Sequence, residues 1–356
     1  MSAAAILHAI LGAPNVRSKE WVIRQYDHEV QAMSVQKPLV GPNQGGPGDA
    51  AVIRPRPGRP TGIAVACGMA PTYGDLDPYA MAVAGIDEAM RNVVATGADP
   101  SRVALLDNFC WGNTDLPDRL GSLVRAAEAC RDASLAYGTP FISGKDSLHN
   151  EFTTRDGPID VPPSLLISSI AVMEDASITV SSDLKEAGNR LVLVGRTEDE
   201  MGGSHHNLVR GIPGGTVPQP RLDVSPAILA GLHRAIAGGH VRAAHDLSEG
   251  GLGVAAAEMA FAGERGARLD LAAAPVGGET LGDETILFSE SLTRFLVEVA
   301  PESFDAFAAA LGDIPFAALG EVTDDGRLTI VGRDGREIVS ETITDLSASW
   351  NTPLES

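Results

Sequence analysis

Glu88 and Asn92 stand one helical turn apart in DPYAMAVAGIDEAMRNVVATGA, residues 77–98. Positions i and i+4 share a helix face, so a carboxylate and an amide oxygen project the same way. Asp49 closes the loop GPNQGGPGD (41–49) just before an apolar run and can supply a third oxygen. Such a set suits Mg²⁺, which is usually held by one or two carboxylates together with nucleotide phosphates rather than by a closed protein cage.

A second stretch, HDLSEGGLG (245–253), joins a strand to a helix through a Gly-rich turn. Backbone N–H groups at such a turn favour anions, while Asp246 is placed to reach a phosphate-bound cation. An Asp/Ser helix cap with glycines for close packing is the competing reading. SGKDS (143–147) puts Lys145, Asp146 and Ser147 at a strand exit, where Lys and Ser suit phosphate. It lacks the Walker A pattern GxxxxGK[ST] and reads equally as a turn. Asp107 ends the apolar run VALLDNF as a strand-end residue. His205 and His206 are adjacent, so their side chains diverge, and they have no partner at metal spacing.

The elements that must position these residues alternate. Residues 3–11 predict a short apolar helix stopped by Gly12 and Pro14, and residues 15–40 a connecting segment with Trp21 and Ile23 packed inward beside Arg24, Tyr26, Asp27 and His28. Strands are expected at 50–54, 61–67, 103–109, from 139 into a Gly-containing turn, and at 164–173. Asp77-Pro78 is an N-cap with Pro at the first helical position, and Gly97 marks the stop. A helix follows from Pro117 to Tyr137. A second unit opens with LVLVG near Asn189, followed by a long loop at 201–220, a helix at 225–238, strand–turn–helix at 241–261, and a strand, a helix and two short strands to the end. Strands separated by helical segments indicate an α/β or α+β chain with crossover connections. We divide it into a linker or helical segment (1–40), an N-terminal subdomain (41–180) and a C-terminal subdomain (185–350).

Composition narrows the function classes. The 356 residues are 44% hydrophobic but 4% aromatic, so the core is aliphatic and stacking platforms for single-stranded nucleic acid are mostly absent. Lys plus Arg number 27 against 47 Asp plus Glu, a formal charge of −20 that repels a nucleic-acid backbone. A bound polyphosphate would arrive with a divalent cation. The three cysteines, Cys67, Cys110 and Cys130, lack CxxC spacing, which argues against a disulfide framework or structural zinc. With no basic leader and no apolar run of ~18 residues, a cytoplasmic address and no membrane contact are expected.

Taken together, GPGDAAV (47–53), DEAMRNVVATGA (87–98), LLDNF (105–109), FISGKDSLHNE (141–151), MGGSH (201–205), HDLSEGGLGVAAAEMAF (245–261) and SESLTRFLVEV (289–299) occur in an order that resembles the C-terminal half of phosphoribosylformylglycinamidine synthase. SKEWVIRQYDHEV (18–30) is similar to the segment joining that enzyme's two homologous halves. The resemblance implies an aminoimidazole ribonucleotide synthetase-like fold, with an N-terminal subdomain whose strands pair across a dimer-type interface. It implies ATP or ADP with Mg²⁺ as cofactors. Asp49, Glu88, Asn92 and Asp246 match the family's Mg²⁺ ligands in this half, and Ser248 matches a nucleotide contact. Asp107 and Gly144 match nucleotide contacts, and Ser147 a substrate contact, of a separate catalytic site. Lys145 replaces an Asn that binds Mg²⁺ in small family members; a cation cannot take that role, and a phosphate contact is expected instead. The family's catalytic histidine belongs to the other half, so the partners implied are an N-terminal half, a glutaminase subunit as ammonia source, a small-molecule substrate, and, failing these, a second copy of the chain. A nucleotide-binding assembly module and a self-sufficient homodimeric ATP-using enzyme are the alternatives.

Overall fold

The computed structural model describes residues 1–26, 29–278 and 281–353. Asp27 and His28 lie outside these residues. Two sheets organise the chain. The first has six strands in the order Ser34–Gln36, Ala51–Ile53, Gly62–Gly68, Ser164–Met173, Val103–Cys110, Phe141–Ser147. Its neighbours are antiparallel except the last pair, which is parallel and is joined through the helix Pro117–Tyr137. The second has seven strands in the order Ala243–Asp246, Phe295–Val299, Arg190–Val194, Phe316–Thr323, Gly266–Asp270, Arg327–Val331, Glu337–Thr342.

The helix Pro78–Ala95 starts where the sequence says it should. Asp77 accepts from the backbone N–H of Tyr79 at 2.9 Å and of Ala80 at 3.3 Å, satisfying donors that the first turn leaves free. All but three of its residues are buried, because one face lies on the first sheet and the other meets the second subdomain. It approaches the sheet at Gly68. A Cβ at Gly68 would stand 2.7 Å from the Ala89 nitrogen and would run into the Gly85 carbonyl. Gly68→Ala is expected to destabilise the fold by about 1–3 kcal/mol, the range for forcing extra carbon into a packed core, read as a lower urea midpoint at unchanged slope.

The second sheet is covered on both sides. Leu191, Leu193 and Leu296 face a core shared with the helices Gly251–Gly263 and Ile343–Trp350. Val192, Val194 and Val297 face the opposite way, into a core continuous with Ile86, Met90 and Val93 of the Pro78–Ala95 helix. The first sheet is covered on one side only. On its other face Ile53, Val65 and Val172 remain 38%, 43% and 40% exposed.

Several expectations change. The first forty residues divide instead of forming a separate linker: the Ala3–Leu11 helix buries Ile6, Leu7, Ile10 and Leu11 in the core of the second subdomain, whereas Ser34–Gln36 joins the first sheet. Between them, among the described residues, the one α-helical turn is Glu20–Ile23, and Trp21 is 58% exposed, because a one-turn helix offers no buried face for it. Lys145 and Gly144 sit inside a strand, not in a turn. The loop after Met201 contains the helix His205–Arg210, capped by the Ser204 hydroxyl and closed by Gly211 at φ +64°. In the second sheet two strands were missed, Gly266–Asp270 and Glu337–Thr342, because their charged residues mask the alternation. The short strands Ser34–Gln36, Leu39–Val40, Gly46–Pro47, Glu151–Thr154 and Gly157–Asp160 also went unread.

Candidate functional site

The strand Ala243–Asp246 ends against the Pro78–Ala95 helix, and Gly250 and Gly251, at φ +76° and +60°, turn the chain into the Gly251–Gly263 helix. Asp246, Ser248 and Glu249 are carried on this turn. Glu88 and Asn92 come from the helix of the other subdomain, and Asp49 from the end of the Gly-rich loop, which is fixed by pairing of Leu39–Val40 with Gly46–Pro47. Asp49, Glu88, Asn92, Asp246 and Ser248 all line one cleft of about 530 Å³.

Each side chain is held. Glu88 accepts from the Met69 backbone N–H at 2.8 Å, and Asn92 donates Nδ2–H to the Cys67 carbonyl at 3.0 Å, which leaves the amide oxygen out of that bond. Asp49 lies 2.5 Å from Nδ1 of His245, whose Nε2 is 3.0 Å from Glu258. Burial pulls the His245 pKa down, but Asp49 and Glu258 outweigh it and hold the imidazole well above its ordinary range, so both ring nitrogens donate. Asp246 takes Nε–H of Arg91 at 3.0 Å, and Arg91 also donates to Ser248 at 2.8 Å and to Asp87. Asp87 further accepts from the Thr293 N–H at 2.9 Å, the Thr293 hydroxyl at 2.5 Å and the Tyr137 hydroxyl at 2.7 Å.

Asp49, Glu88, Asp246, Glu249 and Glu258 thus set five carboxylates around the cleft against two cations, Arg91 and His245. Burial first, and then Glu249 and Asp246, raise Glu88 well above the usual carboxylate range; burial likewise raises Glu249, and pushes Asp49 up to about 6 despite His245. The donor set fits Mg²⁺: hard oxygens, excess negative charge, and an Asp49 Oδ2 that is buried with no hydrogen-bond partner. Asp49, His245 and Asp246 also offer ligand atoms within 4.8 Å of one another, although a protonated imidazole cannot ligate.

The raised carboxylates set a pH dependence. Each binds its proton more tightly folded than unfolded, so its contribution is full below the unfolded pKa and is lost as pH rises through the folded one. For Asp49 that window runs from 3.8 to about 6. Without divalent cations, the melting temperature is expected to fall between pH 4.5 and 7, and Mg²⁺ should recover part of the loss at pH 7. A scan with and without chelator measures both.

The remaining predicted residues lie elsewhere. Asp107 and Gly144 are register partners at the far edge of the first sheet, and the Asp107 carboxylate lies over Gly144 where a Cβ would be. Burial raises the Asp107 pKa. Ser147, three residues along the same strand, is on the opposite face and accepts from Lys145. None of the three lines the acidic cleft. His205 and His206 diverge as expected, to Glu290 and to Glu284. The three cysteines are free. Among the described residues no helix is long and apolar enough to cross a membrane.

Sequence reasoning passed over Arg91, His245 and Glu258. The one available signal was the Asp87/Arg91 spacing of i and i+4, which reads as a surface pair until the second subdomain covers it.

Comparison with known proteins agrees with this architecture. Residues 47–161 match the AIR synthase related protein N-terminal domain, and residues 186–333 the C-terminal domain. The chain is 34% identical over 359 residues to the phosphoribosylformylglycinamidine synthase subunit PurL of Deinococcus radiodurans, covering 99% of this chain and 46% of that protein. Among solved structures, PurL of T. maritima complexed with FGAR superposes with a TM-score of 0.75 at 16% identity, over 99% of this chain and 54% of that one. The same protein complexed with ADP gives 0.69 at 20% identity, over 89% and 48%. The chain therefore spans about half the length of the relatives it matches. With both domains present in order and the homology running end to end, the chain belongs to the AIR synthase related proteins, as a homologue of the synthetase subunit PurL.

Proposed function

We propose that this chain is the C-terminal half of a phosphoribosylformylglycinamidine synthase, working in the cytoplasm in purine biosynthesis beside an N-terminal half. The observation that carries the reading is the convergence of Asp49, Glu88, Asn92, Asp246 and Ser248 on one cleft. There they would hold ATP or ADP through Mg²⁺, which neutralises phosphate charge when bound. Arg91 keeps Asp246 and Ser248 in place, and His245 orients Asp49. In the complete reaction, ATP phosphorylates the formamide oxygen of formylglycinamide ribonucleotide, and ammonia displaces that phosphate to give the amidine, ADP and inorganic phosphate. A glutaminase partner would supply the ammonia. The open face of the first sheet, with Ile53, Val65 and Val172 exposed, supports pairing with the N-terminal half or, without it, with a second copy. Asp107, Gly144, Lys145 and Ser147, at the edge of that sheet, would then act on substrate and phosphate in a site completed by the partner.

The purified chain, given Mg-ATP, formylglycinamide ribonucleotide and ammonium, is expected to release no ADP alone and to release it once an N-terminal half is added. Substrate-dependent release by the chain alone would favour a self-sufficient homodimer instead. Silence in both cases, with tight Mg-nucleotide binding, would favour an assembly module.

A further inference from the structure

A second cavity, of about 630 Å³, opens between the Ser225–Ala237 helix and the turn after the Phe304–Leu311 helix. It shares no lining residue with the acidic cleft. Ile228, Leu292, Leu311 and Ile314 give it an apolar surface, and three arginines, Arg196, Arg221 and Arg234, line it. This is a notable concentration in a chain whose acidic residues outnumber its basic ones 47 to 27. Two of the three are tethered. Arg221 reaches Glu200 at 3.0 Å and Glu198 at 3.3 Å, with its Nε buried and unpaired, and Arg234 donates to the Ala310 carbonyl at 3.0 Å. Arg196 is exposed, and its guanidinium makes no hydrogen bond or ion pair with any described residue. Asp223 and Asp313 also line the cavity, neither within ion-pair distance of these arginines; Glu198 and Glu200 neutralise Arg221, so the guanidinium left for a ligand is that of Arg196.

A concave apolar surface with a few convergent polar groups is how small-molecule sites are built, and a guanidinium fork matches the two oxygens of a carboxylate or phosphate. We propose that this cavity binds a small organic anion, a carboxylate or phosphate monoester on a compact apolar body. The body rests on Ile228, Leu292, Leu311 and Ile314, and Arg196 closes on the anionic group. The site stands apart from the nucleotide cleft and does not depend on the function assigned to it.

Benzoate and phenyl phosphate, titrated calorimetrically into the full chain with Mg-ADP present to occupy the acidic cleft, test this directly. Saturable binding of at least one, one molecule per chain, is expected, with benzyl alcohol giving none. Which of the two binds more tightly identifies the source of the anion. Arg196→Ala should weaken binding by about tenfold or more, as loss of a charge-assisted contact does. Ala227→Trp should do the same by filling the cavity with the arginines intact. Saturable binding of neither anion, equal affinity in Arg196→Ala, or equal binding of benzyl alcohol would overturn the proposal. Arg196 is a surface side chain, so that variant folds and decides the matter even where Ala227→Trp does not.

Discussion

Replacing Arg91 by alanine is expected to cost the folded protein about 3–5 kcal/mol, the range for removing one partner of a buried ion pair. Arg91 is 2% exposed and serves two carboxylates at once, Asp87 within its own helix and Asp246 on the second subdomain, together with the Ser248 hydroxyl. Deleting it leaves Asp246, beside Glu88 and Glu249, with only His245 at 3.7 Å as a counter-charge, and that imidazole is already shared by Asp49 and Glu258. Lysine would keep the charge but cannot span both partners with a planar fork, so Arg91→Lys should recover only part of the loss. Urea unfolding at pH 7 and at pH 5 separates the terms. The deficit should shrink at pH 5, where protonation removes part of the uncompensated negative charge. An Arg91→Ala deficit below about 1 kcal/mol, the size of an exposed pair, would show that the network is solvated and the argument mistaken.

Asp246→Asn is expected to behave in the opposite way. Asparagine can still accept from Arg91 and Ser248, and it relieves carboxylate crowding, so stability at neutral pH should hold or rise. Mg-ADP affinity should nevertheless fall by about 100-fold, equivalent to about 2.7 kcal/mol, because a neutral amide is a poor substitute for a carboxylate facing a hard divalent cation. Calorimetric titration with and without Mg²⁺ gives the result. A variant that binds Mg-ADP as well as the parent would remove Asp246 from the metal site. Combined with Arg91→Ala, it should cost less than Arg91→Ala alone, since the charge left stranded is gone.

Much of this site could be read from the residues because each ligand candidate sits at a local signal. Asp49 follows a Gly-rich loop, Glu88 and Asn92 share a helix face, and Asp246 and Ser248 occupy a strand-to-helix turn. What escaped depends on contacts between elements distant in the chain. Arg91 looks like a solvated charge until Asp246 meets it and Thr293 binds its helix partner Asp87. His245 gains its role from Asp49, far away in the chain, and from Glu258, thirteen residues on, which the Gly251–Gly263 helix brings back to it. Gly144 suggested a turn, whereas its lack of a side chain makes room for the Asp107 carboxylate on the neighbouring strand. Trp21 was assigned to the interior on residue type alone, and no buried surface exists there to receive it.

The core that runs from Met90 and Val93 through Ile228 and Leu232 to Val194 and Val297 does not stop at the boundary between the two subdomains. Separating them would expose that apolar surface and break the Arg91–Asp246 pair and the Asp87–Thr293 bonds together. Neither subdomain can therefore melt without stripping apolar cover from the other along the Pro78–Ala95 helix. The folding unit is the whole chain, and the division visible in its architecture is not a division in its thermodynamics.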